Sequence, residues 1–201
     1  MYTDVDVIEN IKLEISPIYS DYINNVSCES VATSLEQCAF LVYFLRTQNI
    51  NKVLDTGSGI SSFFIRYVQK NKYFETTTFE TDPRWLKNTE DYIKKYNLNY
   101  SNIFLWDEVK SNTRFNQFDF VYHDMGNIET RIETLQNMID RVCYNGFLML
   151  DDAHFNVPPT ALYSNLIQNV FSDNNMWMSF DIKDISIDRY GRFAVLYKKL
   201  I

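Results

Sequence analysis

The sequence predicts an α/β protein with a mainly parallel β-sheet that is covered by helices on both faces. Short β-prone segments alternate with helical segments from about residue 51 onward. A glycine-rich turn joins the first of these strands to its helix, as in a nucleotide-binding βαβ unit. Acidic residues follow one strand after another, which is expected where ligands bind at the carboxyl ends of a parallel sheet. The chain of 201 residues is long enough to form one domain with a full core.

The N-terminal region, residues 1–33, is predicted to form a helical cap in front of the sheet. Apolar residues recur within residues 1–25 without a single clear period, so one helix and two helices both stay open. A clearer helix is expected over residues 33–46, with Ser34 as its capping residue. The apolar positions on one face of this helix are Leu35, Cys38, Val42 and Leu45.

The central motif of the chain is the segment NKVLDTGSGISSFFIR, residues 51–66. Residues 53–55 form a predicted strand, Gly57 and Gly59 form a turn, and residues 61–70 form a predicted helix. Glycine lets the backbone turn sharply and approach a ligand closely, because it has no Cβ atom. The free N–H groups at the start of the helix would then face that ligand.

Glu80 is predicted to lie beside this turn. It ends a β-prone segment at residues 76–80, about 20 residues after the glycines, a spacing at which a carboxylate can accept hydrogen bonds from both hydroxyls of a ribose. The alternative interpretation is a solvated glutamate at a strand end. Asp82 and Pro83 then begin a helix, since proline is favoured in the first turn.

The letters Asp-Thr-Gly-Ser at residues 55–58 also occur in the active site of aspartic proteases. Those enzymes need two such aspartates that share a proton, whereas this chain has one copy and would have to form a homodimer. They are also all-β proteins. The alternation of strands and helices in this sequence therefore disfavours that class.

The second half of the chain continues the alternation of strands and helices. Helices are predicted at residues 128–142 and 158–171, and Asn145 and Gly146 are expected to end the first of them. The predicted strands in this half lie at residues 103–106, 118–123, 147–150, 177–182 and 193–198. The acidic residues that follow predicted strands are Asp55, Glu80, Asp107, Asp124, Asp151 and Asp152.

Composition and charge disfavour several classes of partner and of cellular location. The net charge is −7 and no dense basic cluster occurs, which disfavours a long nucleic acid as partner because such binding depends on phosphate neutralisation. No apolar run approaches the ~18 residues that span a membrane, and no signal peptide is expected before the first helix. The three cysteines lack a metal-binding spacing, so buried thiols in a reducing, cytoplasmic compartment are expected.

Four segments resemble motifs of the class I S-adenosylmethionine-dependent methyltransferases: VLDTGSG, FETDPRW, FDFVYHDMG and NGFLMLDD. The resemblance covers about residues 33–201 and departs from the usual pattern at Ser61, where many members have a third glycine. It implies a Rossmann-like three-layer sandwich with a seven-stranded, mostly parallel sheet whose last strand is antiparallel. It also implies one methyltransferase-like domain over residues 1–201, with the cap at 1–33. The nearest alternative is a Rossmann-fold oxidoreductase, which more often has a third glycine where Ser62 stands.

The resemblance assigns most of the singled-out residues to S-adenosylmethionine. The glycine turn and Asp55 would surround the methionine part of the cofactor, Glu80 would bind the ribose, and Trp106 would contact the adenine. An ordinary core residue is the alternative for Trp106. The expected cofactor-binding residues are Asp55, Gly57, Gly59, Ser61, Ser62, Glu80, Thr81, Trp106, Asp107 and Asp124.

Some resemblance to metal-dependent O-methyltransferases implies a magnesium site as well. Catechol-type and macrolide-sugar enzymes have an acid after strand 4 and an acidic or amide pair after strand 5, and together these bind a divalent ion. The matching residues here are Asp124, Asp151 and Asp152, whose hard oxygen ligands suit Mg²⁺. A solvated acidic loop is the alternative, and no catalytic lysine is evident near these acids.

The expected function is methyl transfer from S-adenosylmethionine to a small-molecule acceptor at a hydroxyl group, with Asp124 and His154 as the candidate catalytic residues. Two other functions stay open: an interaction module that keeps the fold without turnover, and, less favoured, methylation of a nucleic acid. The Asn-Pro-Pro-Tyr type of motif of amino-methylating DNA enzymes is absent after strand 4, where HDMG stands. A homodimer also stays open.

Overall fold

The structure is a computed structural model that describes residues 4–154, 158–172 and 175–201. The first three residues of the predicted cap lie outside the described residues. The strands are β1 Lys52–Thr56, β2 Glu75–Glu80, β3 Ile103–Leu105, β4 Phe118–His123, β5 Val142–Leu150, β6 Trp177–Phe180 and β7 Val195–Lys199. The helices are α1 Val5–Asn25, α2 Leu35–Thr47, α3 Ile60–Gln69, α4 Pro83–Lys95, α5 Trp106–Val109, α6 Ile128–Arg141, α7 Pro158–Phe171 and α8 Lys183–Ser186.

The described strands form one seven-stranded sheet in the order β3-β2-β1-β4-β5-β7-β6. β1 to β5 pair in parallel, whereas β7 is antiparallel to both β5 and β6. This confirms the predicted Rossmann-like sheet with an antiparallel last strand. The chain runs outward from β1 to β3 and then returns to the other side of β1, so the strand order reverses between β1 and β4. Ligands of open α/β sheets bind at such a point, outside the carboxyl ends of the strands.

Two hydrophobic cores lie on opposite faces of the sheet and give the molecule its three layers. One core joins α1, α2 and α3 to the sheet, with Phe44, Phe63 and Phe120 among its buried side chains. The other joins α6 and α7 to the opposite face, with Val121 and Leu148 buried. Phe120 and Val121 are adjacent in β4 and divide between the two cores, because alternate side chains of a strand point to opposite faces.

α1 is one continuous helix, which resolves the ambiguity at the N-terminus in favour of a single helix. Asp4 caps it by accepting a hydrogen bond from the N–H of Val7 (3.2 Å). Pro17 lies inside the helix without ending it. No helix among the described residues is long and apolar enough to cross a membrane. The side chains of α1 that are buried lie three or four residues apart, at Ile8, Ile11, Ile15, Tyr19 and Tyr22.

The predicted end of the helix before β5 is wrong. α6 ends at Arg141, and Asn145 and Gly146 lie inside β5. Asn145 has φ 62°, and the pairing of β5 with β4 shifts its register between Phe118 and Phe120. A Cβ atom on Gly146 would lie 3.0 Å from the carbonyl oxygen of Phe118, so glycine allows the two strands to approach. The Asn-Gly pair therefore forms a bulge in a strand rather than a helix cap.

Other strand boundaries also differ from the prediction, most of them by one or two residues. The third strand ends at Leu105, because Trp106 begins the short helix α5. β6 ends at Phe180, before the predicted end at residue 182, and β7 begins at Val195 instead of residue 193. The order and type of the predicted strands are unchanged by these shifts.

Candidate functional site

The glycine turn after β1 lies at the carboxyl edge of the sheet, between the ends of β2 and β4. Gly57 has φ +90°, and a Cβ atom there would lie 2.0 Å from the backbone oxygen of Asp124. The N–H of Gly57 donates a hydrogen bond to the carbonyl oxygen of Phe79 in β2 (2.8 Å). Glycine is required at this position, because the turn is held closely between two neighbouring strand ends.

A cavity of about 100 Å³ adjoins this turn. Gly57 and Gly59 line one side of it, Asp124 lines it from the end of β4, and Tyr22 and Trp85 line it from α1 and α4. A Cβ atom on Gly59 would lie 3.5 Å from the hydroxyl of Tyr22 and 3.9 Å from Nε1 of Trp85. The second glycine therefore keeps open the space between these two aromatic side chains.

The carboxylate of Asp55 is buried away from this cavity. It accepts hydrogen bonds from the hydroxyls of Ser62, Ser61 (3.3 Å) and Thr78 (3.1 Å). The hydroxyl of Thr78 in turn accepts a hydrogen bond from Arg66 (2.9 Å). The two serine hydroxyls predicted to hold the cofactor are thus engaged by Asp55, although Ser61 also lines the cavity.

The Asp55 network joins the start of α3 to β2. Burial raises the pKa of Asp55 to about 6, although the hydrogen bond from Ser62 and the charge of Arg66 oppose this rise. Burial also lowers the pKa of Arg66 to about 10, although the charge of Asp55 opposes that change. Both groups are therefore mainly charged at pH 7, and each offsets part of the cost of burying the other.

Glu80 lies beside the glycine turn, as predicted, and its side chain is bonded on both oxygens. Oε2 accepts hydrogen bonds from the N–H (2.6 Å) and the hydroxyl (2.9 Å) of Ser58. Oε1 accepts hydrogen bonds from the N–H (2.6 Å) and the hydroxyl (3.2 Å) of Thr81 and from the N–H of Asp82 (3.0 Å). A carboxylate has about four acceptor sites, so the chain itself already fills the capacity of Glu80.

The residues predicted to contact the adenine do not line this cavity. Trp106 is partly buried and packs against Phe79, with 5.7 Å between the ring centres. The Asp107 side chain is 86% exposed and forms an ion pair with Lys110 (2.8 Å). Thr81 is exposed and bonded to Glu80. The adenine contacts therefore stay a prediction, and the packing of Trp106 agrees with its alternative interpretation as part of the core.

The three acids predicted as metal ligands come together, because β4 and β5 are neighbours that end at the same edge of the sheet. One oxygen atom from each of Asp124, Asp151 and Asp152 lies within 4.8 Å of the others. The hydroxyl of Thr33 donates a hydrogen bond to Oδ2 of Asp124 (3.1 Å). The N–H of Asp152 donates one to Oδ1 of Asp151 (2.7 Å).

Arg131 of α6 lies among these acids. Its guanidinium group forms ion pairs with Asp124 and with Asp152 (2.7 Å), and its side chain is 9% exposed. Burial opposes the charge of the guanidinium, but Asp124 and Asp152 outweigh that effect and raise the pKa of Arg131. Burial raises the pKa of Asp124 and of Asp151 as well, and in both cases the charge of Arg131 opposes the rise.

The predicted magnesium site does not fit this arrangement. A divalent ion needs oxygen ligands around it at about 2.0–2.6 Å, and two of the three acids are instead bonded to a guanidinium group. The positive charge of Arg131 also opposes the approach of another cation. The three acids lie close together, as the sequence predicted, but the cation that lies among them is the guanidinium group of Arg131.

The two histidines differ in their surroundings. His123 is fully buried, and its Nε2 donates a hydrogen bond to the carbonyl oxygen of Arg131 (3.2 Å), so its Nδ1 accepts one from the hydroxyl of Thr56 (2.9 Å). Burial lowers the pKa of His123 to about 3, and the ring is neutral. His154 is 5% exposed; its Nδ1 lies 3.7 Å from Asp152 and has no hydrogen-bond partner among the described residues.

Several residues of the site had no role assigned from the sequence, among them Tyr22, Trp85 and Arg131. Trp85 belongs to the quoted FETDPRW segment, but its role was not assigned. Arg131 carried a usable signal, because a basic residue in the first turn of a helix is unfavourable unless acids compensate for it. Tyr22 carried none, since its place at the cavity depends on how α1 packs across the end of the sheet.

Comparison with known proteins gives matches in structure. No protein-family model matches the sequence, and no curated protein sequence matches it significantly. The O-methyltransferase from Bacillus cereus in complex with SAH is 12% identical, with a TM-score of 0.64 over 100% of this chain and 93% of that one. The O-methyltransferase TomG from Streptomyces achromogenes, in complex with SAM, is 9% identical, with a TM-score of 0.62 over 99% and 91%.

The chain has a Rossmann-like methyltransferase fold. This similarity extends beyond enzymes that are named for O-methylation. An rRNA methylase from Streptococcus thermophilus is 16% identical, with a TM-score of 0.56 over 82% of this chain and 95% of that one. At these identities the likeness establishes the fold, and the reaction and the acceptor have to be argued from the site.

Proposed function

We propose that this protein is an S-adenosylmethionine-dependent methyltransferase that acts on a small molecule at a hydroxyl group. The observation that carries the proposal is the glycine turn at the point where the strand order reverses, with a cavity beside it. Glu80 is bonded to one side of this turn, and Asp124 lines the cavity from the other. Two of the structures with the same fold are complexes with SAH and with SAM.

The donor-binding residues proposed here are those of the turn and its neighbours. S-adenosylmethionine, when bound, supplies an activated methyl group. Gly57 and Gly59 would receive its methionine part, since both line the cavity and a side chain on Gly59 would enter the space between Tyr22 and Trp85. Glu80 would accept the ribose hydroxyls in place of the hydroxyls of Ser58 and Thr81, while it keeps its three bonds to backbone N–H groups.

Binding also requires the cap to move. The cavity of about 100 Å³ is smaller than the ~300 Å³ at the lower end of small-molecule pockets. Tyr22 of α1 and Thr33, beyond the end of that helix, line it. We therefore expect α1 and the connection at residues 26–34 to shift outward when the donor enters.

Asp124 and His154 are the proposed proton acceptors. Asp124 lines the cavity, and burial raises the pKa of its carboxyl group, which strengthens it as a base. His154 has a free Nδ1 beside Asp152 but does not line the cavity. The base would hold the hydroxyl proton of the acceptor while the acceptor oxygen receives the methyl group.

A second candidate function is an interaction module that keeps the fold without turnover. One observation favours it: side chains expected to hold the donor are bonded within the chain. The hydroxyls of Ser61 and Ser62 donate to Asp55, and both oxygens of Glu80 are occupied. Such a protein would not transfer a methyl group to any acceptor.

The test is transfer of a labelled methyl group from S-adenosylmethionine to a panel of phenols, catechols and aliphatic alcohols, with ribosomal RNA as a separate arm. We expect transfer to a hydroxyl compound and none to RNA. Asp124→Asn should lower kcat by about 100-fold, the usual scale for losing a general base. Asp140→Asn is the matched control, because it removes an exposed acid of α6 that does not line the cavity.

The outcomes separate the alternatives. Transfer that survives Asp124→Asn but is lost in His154→Gln would assign the base to His154. Transfer to RNA alone would replace the small-molecule acceptor with a nucleic acid. Donor binding without transfer to any acceptor would favour the interaction module.

A further inference from the structure

Arg131 lies where a helix disfavours positive charge. It is the fourth residue of α6, and the partly positive end of the helix dipole is at this terminus. Its side chain is also 9% exposed, so the cost of removing a cation from water is added. Both costs are offset only by opposite charge nearby, and Asp124 and Asp152 supply it.

The guanidinium group connects the ends of two strands. Asp124 follows β4 and Asp152 follows β5, and Arg131 is bonded to both. Arginine suits this task, because its planar group stays charged and presents several N–H donors in fixed directions. The ion pairs hold Asp124, which lines the cavity, in a fixed orientation.

The backbone of Arg131 is held as well. Its carbonyl oxygen accepts a hydrogen bond from the neutral ring of His123 (3.2 Å). Its N–H donates to the carbonyl oxygen of Asn127 (3.0 Å), and the side chain of Asn127 caps α6. Both the main chain and the side chain of Arg131 are therefore held in place. The fold itself places the guanidinium group among the three acids.

We propose that Arg131 is the resident cation of the cluster formed by Asp124, Asp151 and Asp152, and that it excludes divalent metal ions from these acids. It acts as a positioning residue, since it orients Asp124. The consequence for turnover, independence from divalent ions, rests on the proposed function. The consequence for metal binding does not, because it can be measured without donor or acceptor.

The experiment titrates the purified full chain with Mn²⁺ and follows free Mn²⁺ by electron paramagnetic resonance. We expect the wild type to bind no Mn²⁺ at this cluster up to millimolar concentration. Arg131→Met removes the cation and leaves three acids, so it should bind one equivalent at least ten times more tightly than the wild type. Adding Asp151→Asn to Arg131→Met should reverse that gain.

Arg141→Met is the matched control. Arg141 lies on the same helix and is also buried, but its guanidinium group donates to the carbonyl oxygens of Phe115 and Lys110 (3.2 Å) instead of to carboxylates. Its loss should not create Mn²⁺ binding. Arg131→Lys keeps a positive charge at the cluster and should continue to exclude Mn²⁺.

Three results would overturn the proposal. The first is a wild type that binds one equivalent of Mn²⁺ at micromolar concentration and loses it in Asp151→Asn. The second is a folded Arg131→Met variant that binds Mn²⁺ no better than the wild type. The third applies if Arg131→Met is unfolded, and it is a circular dichroism spectrum that Mn²⁺ does not restore. Restoration is expected, because an ion that binds only the native state favours folding. None of these results depends on methyl transfer, so the proposed function stands or falls separately.

Discussion

Glu80 serves the fold as well as the proposed ribose site. Three of its five hydrogen bonds come from backbone N–H groups, those of Ser58, Thr81 and Asp82. These donors hold the glycine turn on one side and the start of α4 on the other. A buried donor that loses its partner costs about 1–3 kcal/mol, so the carboxylate stabilises the geometry of the site before any ligand binds.

Glu80→Ala should therefore lower the free energy of unfolding by about 2–4 kcal/mol, since it leaves the buried N–H of Ser58 and the partly buried N–H groups of Thr81 and Asp82 without their partner. Urea denaturation followed by circular dichroism measures this. Glu75→Ala is the matched control, because it removes an exposed glutamate at the other end of β2. Equal stability of Glu80→Ala and Glu75→Ala would show that these hydrogen bonds contribute little.

Asp55 gives the fold a dependence on pH. Its pKa is raised by burial from 3.8 to about 6 in the folded protein, so the folded state binds a proton more tightly than the unfolded state. This contribution to stability is fully present below about pH 4 and is lost as the pH rises through about 6. Urea denaturation between pH 4 and 7 should show a shallower fall for Asp55→Asn than for the wild type. An unchanged slope would mean that Asp55 does not titrate in this range.

At the scale of elements, the two glycines of the turn have different tasks: Gly57 is required by the fold, and Gly59 leaves space for the ligand. Gly57→Ala would place a Cβ atom 2.0 Å from the carbonyl oxygen of Asp124 at a φ of +90°. We expect a loss of about 3 kcal/mol in the free energy of unfolding, from steric overlap and backbone strain. Gly59→Ala meets no atom closer than 3.5 Å outside its chain neighbours and should change stability by less than about 1 kcal/mol.

Gly59→Ala should instead weaken binding of the donor, because its methyl group would lie between Tyr22 and Trp85 in the cavity. A loss of about tenfold corresponds to ~1.4 kcal/mol. Thermal unfolding and calorimetry on the two variants measure the two effects. A Gly59→Ala variant that unfolds early, or a Gly57→Ala variant as stable as the wild type, would contradict this division.

The sequence predicted those elements that have a strong local pattern. Strand, turn and helix could be recognised around Gly57, and the acids after β4 and β5 could be expected to meet, because parallel neighbours end at one edge. The bulge at Asn145 could not be predicted, since the same two residues also end helices and only the pairing with β4 decides between the two. The place of Tyr22 depends on packing between distant segments.

The side-chain partners within the site were the least predictable feature. The position of Ser61 and Ser62 directly after the turn is typical of residues that donate hydrogen bonds to a ligand. In the structure both hydroxyls donate to Asp55 instead. The three acids suit a metal ion, yet Arg131 reaches them from the first turn of α6. Both outcomes depend on distances between side chains, which the spacing of residues in a sequence does not determine.

At the scale of the whole molecule, the account rests on one claim: the cavity where the strand order reverses binds the methyl donor. Isothermal titration calorimetry of the purified full chain with S-adenosylhomocysteine tests it most directly, because this ligand needs no acceptor and is not consumed. The account predicts one site per chain, with a dissociation constant of about 1 μM to 1 mM, the usual range for enzyme substrates, and weaker binding in Gly59→Ala. Absence of binding at several millimolar ligand, or binding that Gly59→Ala leaves unchanged, would contradict it.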